Sequence, residues 1–188
     1  MSTATATPSA TTASPVLRRL YLGRFVFAVA WAGVFASASS PFGSLALVLA
    51  VLYPAVDVAS AAIDIRSASA AGRSTTPLAL NMAISTAAGI ALLVVGTGEI
   101  GDVLLVWGFW AFASGLVQLT VALQRRALKG QVPLIISGAI SVLDGVFFAA
   151  THARATNLHQ VAGYAALGGV FFLVSALRLG SRVPQDAQ

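Results

Sequence analysis

Residues 134–150 read LIISGAISVLDGVFFAA, an apolar run with a single charged residue, Asp144. Together with Val132 and Pro133 it approaches the roughly 20 residues that a helix needs to cross a bilayer. An Asp at mid-bilayer costs about 2.5 to 3.5 kcal/mol, whereas each central Leu, Ile, Val or Phe returns about 0.3 to 0.6 kcal/mol. The run holds nine residues of those four types. It is therefore predicted to insert as a helix.

The same pattern recurs at intervals of 56 positions. Ser141 and Gly145 match Ser85 and Gly89, and a further step reaches Gly33. In the apolar run that follows each of these segments, an aromatic residue precedes a small or acidic one by four positions. These pairs are Tyr53 with Asp57, Trp110 with Ser114, and Tyr164 with Gly168. The sequence therefore predicts one helical hairpin written three times, at about 17–72, 73–128 and 129–182.

Composition identifies lipid as the solvent of this chain. The 188 residues are 57% hydrophobic and 9% charged, with a mean hydropathy of +0.87, which does not fit an ordinary water-facing surface. Helices satisfy their backbone groups within the segment, and the alternation expected of a membrane barrel is missing. We predict an all-α polytopic membrane protein, 17–182, between a disordered tail at 1–16 and a short tail at 183–188. The predicted spans are 20–39, 43–63, 78–95, 103–123, 132–150 and 161–179.

Basic residues predict the orientation of the spans. Cytoplasmic connections carry an excess of Lys and Arg. Here one side of the predicted membrane domain has ten of these residues and is assigned to the cytoplasm, and the outer side has only Arg154. This places both termini in the cytoplasm of a multi-pass plasma-membrane protein, with lipid as its environment. Singly placed basic residues between apolar runs are typical of topology signals, so the net charge of +5 does not indicate a nucleic-acid partner. The residues on the other side are Arg18, Arg19, Arg24, Arg66, Arg73, Arg125, Arg126, Lys129, Arg178 and Arg182.

Small residues four apart predict where helices approach closely. Lipid supplies no hydrophobic drive between helices, so close backbone contact at small residues has to supply the association. Packing inside one bundle is the favoured interpretation, and a seam between copies of the chain or with a partner membrane protein is the other. The predicted packing residues are Gly33, Ser85, Gly89, Ala111, Gly115, Ser141, Gly145, Ala165 and Gly169.

Two carboxylates lie within predicted spans, Asp57 and Asp144. Desolvation favours the protonated form of a carboxylic acid, which makes both residues candidates for proton or ion coupling. The competing interpretation is a hydrogen-bonded Asp that ties helices together. Arg24 is expected to reach the inner interface with its flexible side chain, and the less favoured alternative is that it pairs with a carboxylate. Asp64 and Arg66 are expected to form a solvated cluster at that interface.

The remaining polar residues do not indicate catalysis. His152 and His159 are seven apart without a nearby Cys, Asp or Glu, which favours a solvated loop over a metal site. Glu99 and Asp102 also fit a solvated loop better than an acid/base pair. The chain has no cysteine and no nucleotide-binding, hydrolase or metalloprotease motif. We expect neither an enzyme nor a bound cofactor.

The segments IISGAISVLDGVFF, LLVWGFWAFASGLVQLTVALQRR and AGYAALGGVFFLVSALRL resemble the HdeD-like membrane proteins. The resemblance covers about 20–182, and the first repeat fits worst, because Val58 stands where the other even spans have Gly115 and Gly169. It implies a six-span bacterial inner-membrane protein linked to acid or envelope stress, with no catalytic residues to carry over.

Two functions therefore stay open. One is a non-enzymatic membrane protein of the HdeD-like kind, which acts by its presence in the bilayer, by self-association or by binding another membrane protein. The other is a small proton-coupled transporter or channel that uses Asp57 and Asp144, since internal repeats accompany transporter folds.

Overall fold

The structure, a computed structural model, describes residues 15–180. All the regular elements within that range are helical, and six helices are long and apolar enough to cross a membrane. The predicted fold class is confirmed. The predicted tails lie outside the described residues, except for Pro15 and Val16, which already belong to the first helix. The helices are α1 Pro15–Ala38, α2 Ser44–Ala70, α3 Thr76–Val95, α4 Ile100–Gln124, α5 Gln131–Thr151 and α6 His159–Gly180.

Helix boundaries follow local chemistry. α3 begins at Thr76 with Pro77 in its first turn, where the absent N–H costs nothing because the first turn of a helix leaves its donors unpaired. Between α4 and α5, Gly130 has a φ of +80°, and an added Cβ would lie 2.6 Å from the carbonyl oxygen of Ser175. Only glycine fits that turn without strain. α2 continues past the predicted end of its span to Ala70, so Asp64 and Arg66 lie in a helix and not in a connection.

The six helices form a closed ring. Each packs on its two neighbours along the chain, and α6 returns to α1. The most extensive packing joins α4 to α5, α6 to α1 and α2 to α3, whereas α1 and α2, like α5 and α6, touch only lightly. The three strongest interfaces therefore recur every two helices, which is the period of the predicted hairpin. The repeat itself stays a prediction.

The tightest interface is a glycine seam between α4 and α5. An added Cβ on Gly145 would lie 2.5 Å from the backbone nitrogen of Phe112, and one on Gly115 would lie 2.7 Å from the Cβ of Ser141. Gly108 and Gly138 complete the seam, and an added Cβ on either would lie 2.9 Å from the facing backbone. Two glycines per helix, seven residues apart, let the two backbones meet.

The other predicted packing residues divide into two groups. Gly169 contacts α1 near Ala28, and Ala111 and Ala165 are fully buried. The prediction of a packing role inside the bundle is wrong for Gly33 and Gly89, because no heavy atom lies within 4 Å of an added Cβ at either residue.

The outward faces of the ring are apolar. Leu, Val, Ile and Phe side chains such as Val94, Leu143 and Phe109 are more than half exposed, which suits contact with lipid tails. Inside, the half of the bundle away from the chain termini is filled by a core in which Phe35, Trp107 and Phe148 are almost completely buried. A cavity lies in the other half.

Candidate functional site

A polar cavity of about 100 Å³ lies inside the ring, in the half that holds the chain termini. Every one of the six helices contributes side chains to its wall. Much of the wall is polar, although the surrounding bundle faces lipid. The polar and aromatic lining comprises Tyr21, Arg24, Tyr53, Asp57, Ser60, Asp64, Asn81, Trp110, Ser114, Gln118, Arg125, Gln131, Ser137, Ser141, Tyr164 and Phe172.

Asp57 is the centre of a hydrogen-bond network on the cavity wall. Its carboxylate accepts from the Arg24 guanidinium at 2.5 Å, from the Asn81 amide at 2.5 Å and from the Ser85 hydroxyl at 2.9 Å. The indole N–H of Trp110 in turn donates to the Ser85 oxygen at 3.0 Å. One carboxylate therefore connects α1, α2, α3 and α4. The favoured expectation that Arg24 reaches the interface is wrong, and the alternative of a pair with a carboxylate is confirmed, because buried Asp57 holds it inside the bundle.

A hydrogen bond between a serine and an aromatic residue, like that between Ser85 and Trp110, also joins α5 to α6. The Ser141 hydroxyl lies 3.1 Å from the hydroxyl of Tyr164. A shift of 56 residues relates Ser141 to Ser85, and Tyr164 and Trp110 are the marker aromatics of their hairpins. The same type of contact, from a serine on the odd helix to an aromatic residue on the even helix, therefore occurs in two of the three predicted hairpins.

A second ion pair lies at the end of the cavity nearer the chain termini. The Arg125 guanidinium donates to both carboxylate oxygens of Asp64, at 2.8 and 3.0 Å. The side chains are only 5% and 10% exposed, so the pair is largely removed from solvent. The predicted cluster of Asp64 with Arg66 is wrong: the extended α2 turns Asp64 inward, towards the residue that follows α4.

Charge inside the cavity is balanced. Asp57 is matched by Arg24, and Asp64 by Arg125. Gln131 adds an unmatched acceptor: it is 2% exposed, and its Oε1 has no hydrogen-bond partner in the described part of the chain. A buried acceptor without a donor costs about 1–3 kcal/mol. The cavity is thus electroneutral, with at least one acceptor free for a guest.

Aromatic residues close the cavity on the side away from the termini. The Tyr53 ring lies 5.7 Å from Trp110 and 5.6 Å from Trp107, and Trp107 lies 6.4 Å from Tyr164. Trp31 stacks on Phe35, and its ring also contacts the Trp107 ring. These rings form one packed aromatic cluster. The cluster separates the polar cavity from the opposite end of the bundle.

Asp144 lies elsewhere. It lines a small groove between α5 and α6, of about 10 Å³, and it does not line the central cavity. The structure therefore does not bring Asp57 and Asp144 into one site. The two spaces share a wall, since Ser137, Ser141 and Tyr164 line both.

The aromatic residues that mark the predicted repeat all line the cavity. All three aromatic positions and the residues four places after them, from Tyr53 and Asp57 to Tyr164 and Gly168, line it. Sequence reasoning missed Asp64, Arg125 and Gln131, which lie near helix ends, where polar residues ordinarily face water. Their signal in the sequence is position alone, since each lies within two residues of a predicted span.

The histidines take no part in this site. His152 follows the end of α5, where its Nδ1 lies 2.7 Å from the carbonyl oxygen of Ala149, and the Asn157 side chain accepts from the backbone N–H of His159. Glu99 and Asp102 lie at the start of α4, at the same end of the bundle. Among residues 15–180, no three His, Asp or Glu side chains come together as metal ligands do.

Comparisons with family models, with curated proteins and with solved structures gave no match to this chain. The chain is an integral membrane protein by its six apolar helices, and its function must be argued from the cavity.

Proposed function

We propose that the protein carries a small polar solute across the membrane and that the central cavity is its binding site. The observation that carries this proposal is the convergence of polar side chains from all six helices on one cavity. Ionisable groups inside a membrane are costly and usually line substrate or ion pathways. A bundle held together only by small-residue packing needs none of them.

The chemistry of the wall favours an electroneutral guest. Two carboxylates and two guanidinium groups cancel, so a neutral or zwitterionic molecule leaves the balance intact, whereas an ion leaves one buried charge uncompensated. Amide groups of Asn81 and Gln118 and the free acceptor of Gln131 are suited to hydrogen bonding with such a guest. No chemical reaction is part of this proposal.

Asp57 is the group we assign to proton coupling. Protonation would remove the negative charge that Arg24 and Asn81 bind, and would thereby loosen contacts among α1, α2 and α3. A carrier needs such an element, because binding on one side has to be converted into opening on the other. Asp144 lies outside the cavity and is not needed for this step.

Proton movement into pyranine-loaded proteoliposomes tests the assignment. We expect flux in the wild type, loss of flux in Asp57→Asn and normal flux in the matched control Asp144→Asn. Thermal unfolding of each variant in detergent controls for misfolding. Flux that survives in folded Asp57→Asn contradicts the coupling role.

Water access tests the cavity without a known solute. Because the chain has no cysteine, single replacements Ser60→Cys and Ser114→Cys report on the cavity alone, with lipid-facing Ile90→Cys as control. A membrane-impermeant thiosulfonate should label the two cavity positions at least tenfold faster than the control. Equal, slow labelling at all three positions would overturn the cavity as a solute site.

A second function is favoured by one observation: three donors already satisfy Asp57, as a residue that ties helices together requires. On this view the protein is a non-transporting membrane protein linked to acid or envelope stress, as the HdeD-like resemblance implies. Absence of flux in every variant, with unfolding caused by Asp57→Asn, would favour it. For either function we propose a bacterial plasma membrane with both termini in the cytoplasm, on the distribution of Lys and Arg.

A further inference from the structure

Asp144 differs from the other intramembrane carboxylates in having no counter-ion. Asp57 and Asp64 each pair with an arginine. Asp144 forms no hydrogen bond or ion pair among the described residues, although it lies within a helix that spans the membrane. A lone carboxylate in hydrocarbon is expensive unless it is protonated or meets a cation. No residue between 15 and 180 supplies that cation, so a guest can.

The surroundings of Asp144 define what kind of guest fits. The groove opens where α5 and α6 pack lightly, and its remaining lining is apolar or hydroxylic, from Leu167 and Phe171 to Ser137 and Ser141. Its volume of about 10 Å³ matches about one water molecule. A primary ammonium group has that size, whereas a bulky quaternary ammonium does not fit.

Access is from the lipid. Leu167 is 42% exposed and Leu143, the neighbour of Asp144, is 69% exposed, so the groove lies at the outer surface of the ring. An apolar tail attached to the ammonium can therefore remain among the lipid chains. The Phe171 ring supplies an aromatic surface that favours cations.

We propose that the groove between α5 and α6 is a membrane-facing binding site for primary amines with an apolar tail, with Asp144 as their counter-ion. This site goes beyond the proposed function, because binding there requires no transport. The hydrogen bond between Ser141 and Tyr164 forms part of the wall that separates it from the central cavity.

The test uses the full chain in phosphatidylcholine nanodiscs, with a bimane fluorophore on Val170→Cys. Val170 lies on the exposed side of α6 next to the groove residue Phe171 without lining the groove itself. The probes are 8-bromooctylammonium, whose bromine quenches bimane, and 8-bromooctanesulfonate, which has the same tail and the opposite charge. We expect saturable quenching by the ammonium, with half-saturation at least tenfold lower than for the sulfonate.

Two controls separate binding from partition into lipid. Bimane on Ile90→Cys, on the lipid face of α3, should show only linear quenching. Asp144→Asn should lose the saturable component at Val170, and Asp144→Glu should keep it. Equal curves for ammonium and sulfonate on the unchanged Asp144 background, or saturable binding retained in Asp144→Asn, would overturn the site. The comparison of the two probes decides the outcome even where a substitution prevents folding.

Discussion

Single side chains decide most of the energetics of the central cavity. Arg24 is held by Asp57 and also lies with its Cζ 4.4 Å from the centre of the Phe172 ring, so it connects α1 with both α2 and α6. Removing one partner of a buried ion pair is more damaging than removing both, because the remaining charge has no compensation. An ion pair can therefore be recognised in unfolding measurements, because the double substitution lowers stability by less than the two single substitutions together.

Arg24→Met should therefore destabilise the protein strongly. It leaves the Asp57 carboxylate without its counter-ion, which costs about 3–5 kcal/mol in buried pairs. The double variant Arg24→Met/Asp57→Asn should lose less than the sum of the single variants. Unfolding in mild detergent measures these differences, and Arg19→Met, at an exposed position, should have little effect. Additive losses would contradict a direct interaction.

The second ion pair offers a control one residue away. Arg125 is 5% exposed and binds Asp64, whereas Arg126 is exposed. We expect Arg125→Gln to lower the unfolding free energy by about 3 kcal/mol, and Arg126→Gln to change it by less than about 0.5 kcal/mol. The same unfolding assay compares them. Similar losses in both variants would show that total basic charge, and not the ion pair, matters.

Between helices, the decisive feature is how closely two backbones can approach. In sequence, Ser85 with Gly89 looks the same as Ser141 with Gly145, yet only the second pair lies in a seam. The reason is the facing helix. A shift of 56 residues places Leu52 and Met82 at the positions of Gly108 and Gly138, so α2 and α3 lack the small residues that close approach requires on both sides.

This difference predicts opposite outcomes for one substitution at two matched sites. Gly145→Ala should destabilise by about 1–3 kcal/mol, because its Cβ meets the backbone of α4 and forces the helices apart. Gly89→Ala should be neutral or stabilise by up to about 1 kcal/mol, because alanine favours the helix and nothing lies in its way. Unfolding measurements on both variants decide the matter. Equal destabilisation would contradict the assignment of the seam.

For the whole molecule, one ring of six crossings places alternate connections at opposite ends. Thr97, between α3 and α4, and Ala127, between α4 and α5, are both exposed. In a cysteine-free chain, an impermeant maleimide applied to intact cells should label Thr97→Cys and leave Ala127→Cys unmodified until the cells are opened. The reverse pattern would contradict the proposed orientation.

Sequence reasoning was most successful at this largest scale. Long apolar runs predicted six helices because the thickness of the bilayer leaves little choice. It was less successful inside the ring. Local sequence places Arg24 and Asp64 near an interface, and only the packing of distant helices turns them towards Asp57 and Arg125. Periodicity along one helix does not specify which neighbour its face will meet.

The contact between α1 and α6 has a consequence for how the protein is made. Of the six described helices α1 leaves the ribosome before the others, yet its most extensive neighbour is α6, which is made after the other five, and the Arg18 guanidinium reaches the backbone oxygen of Ala176 across that interface. Until α6 has been synthesised, α1 depends on its light contact with α2 and on the attraction between Arg24 and Asp57. A nascent chain that stalls before α6 therefore exposes the unpaired face of α1 to the translocon and to membrane proteases.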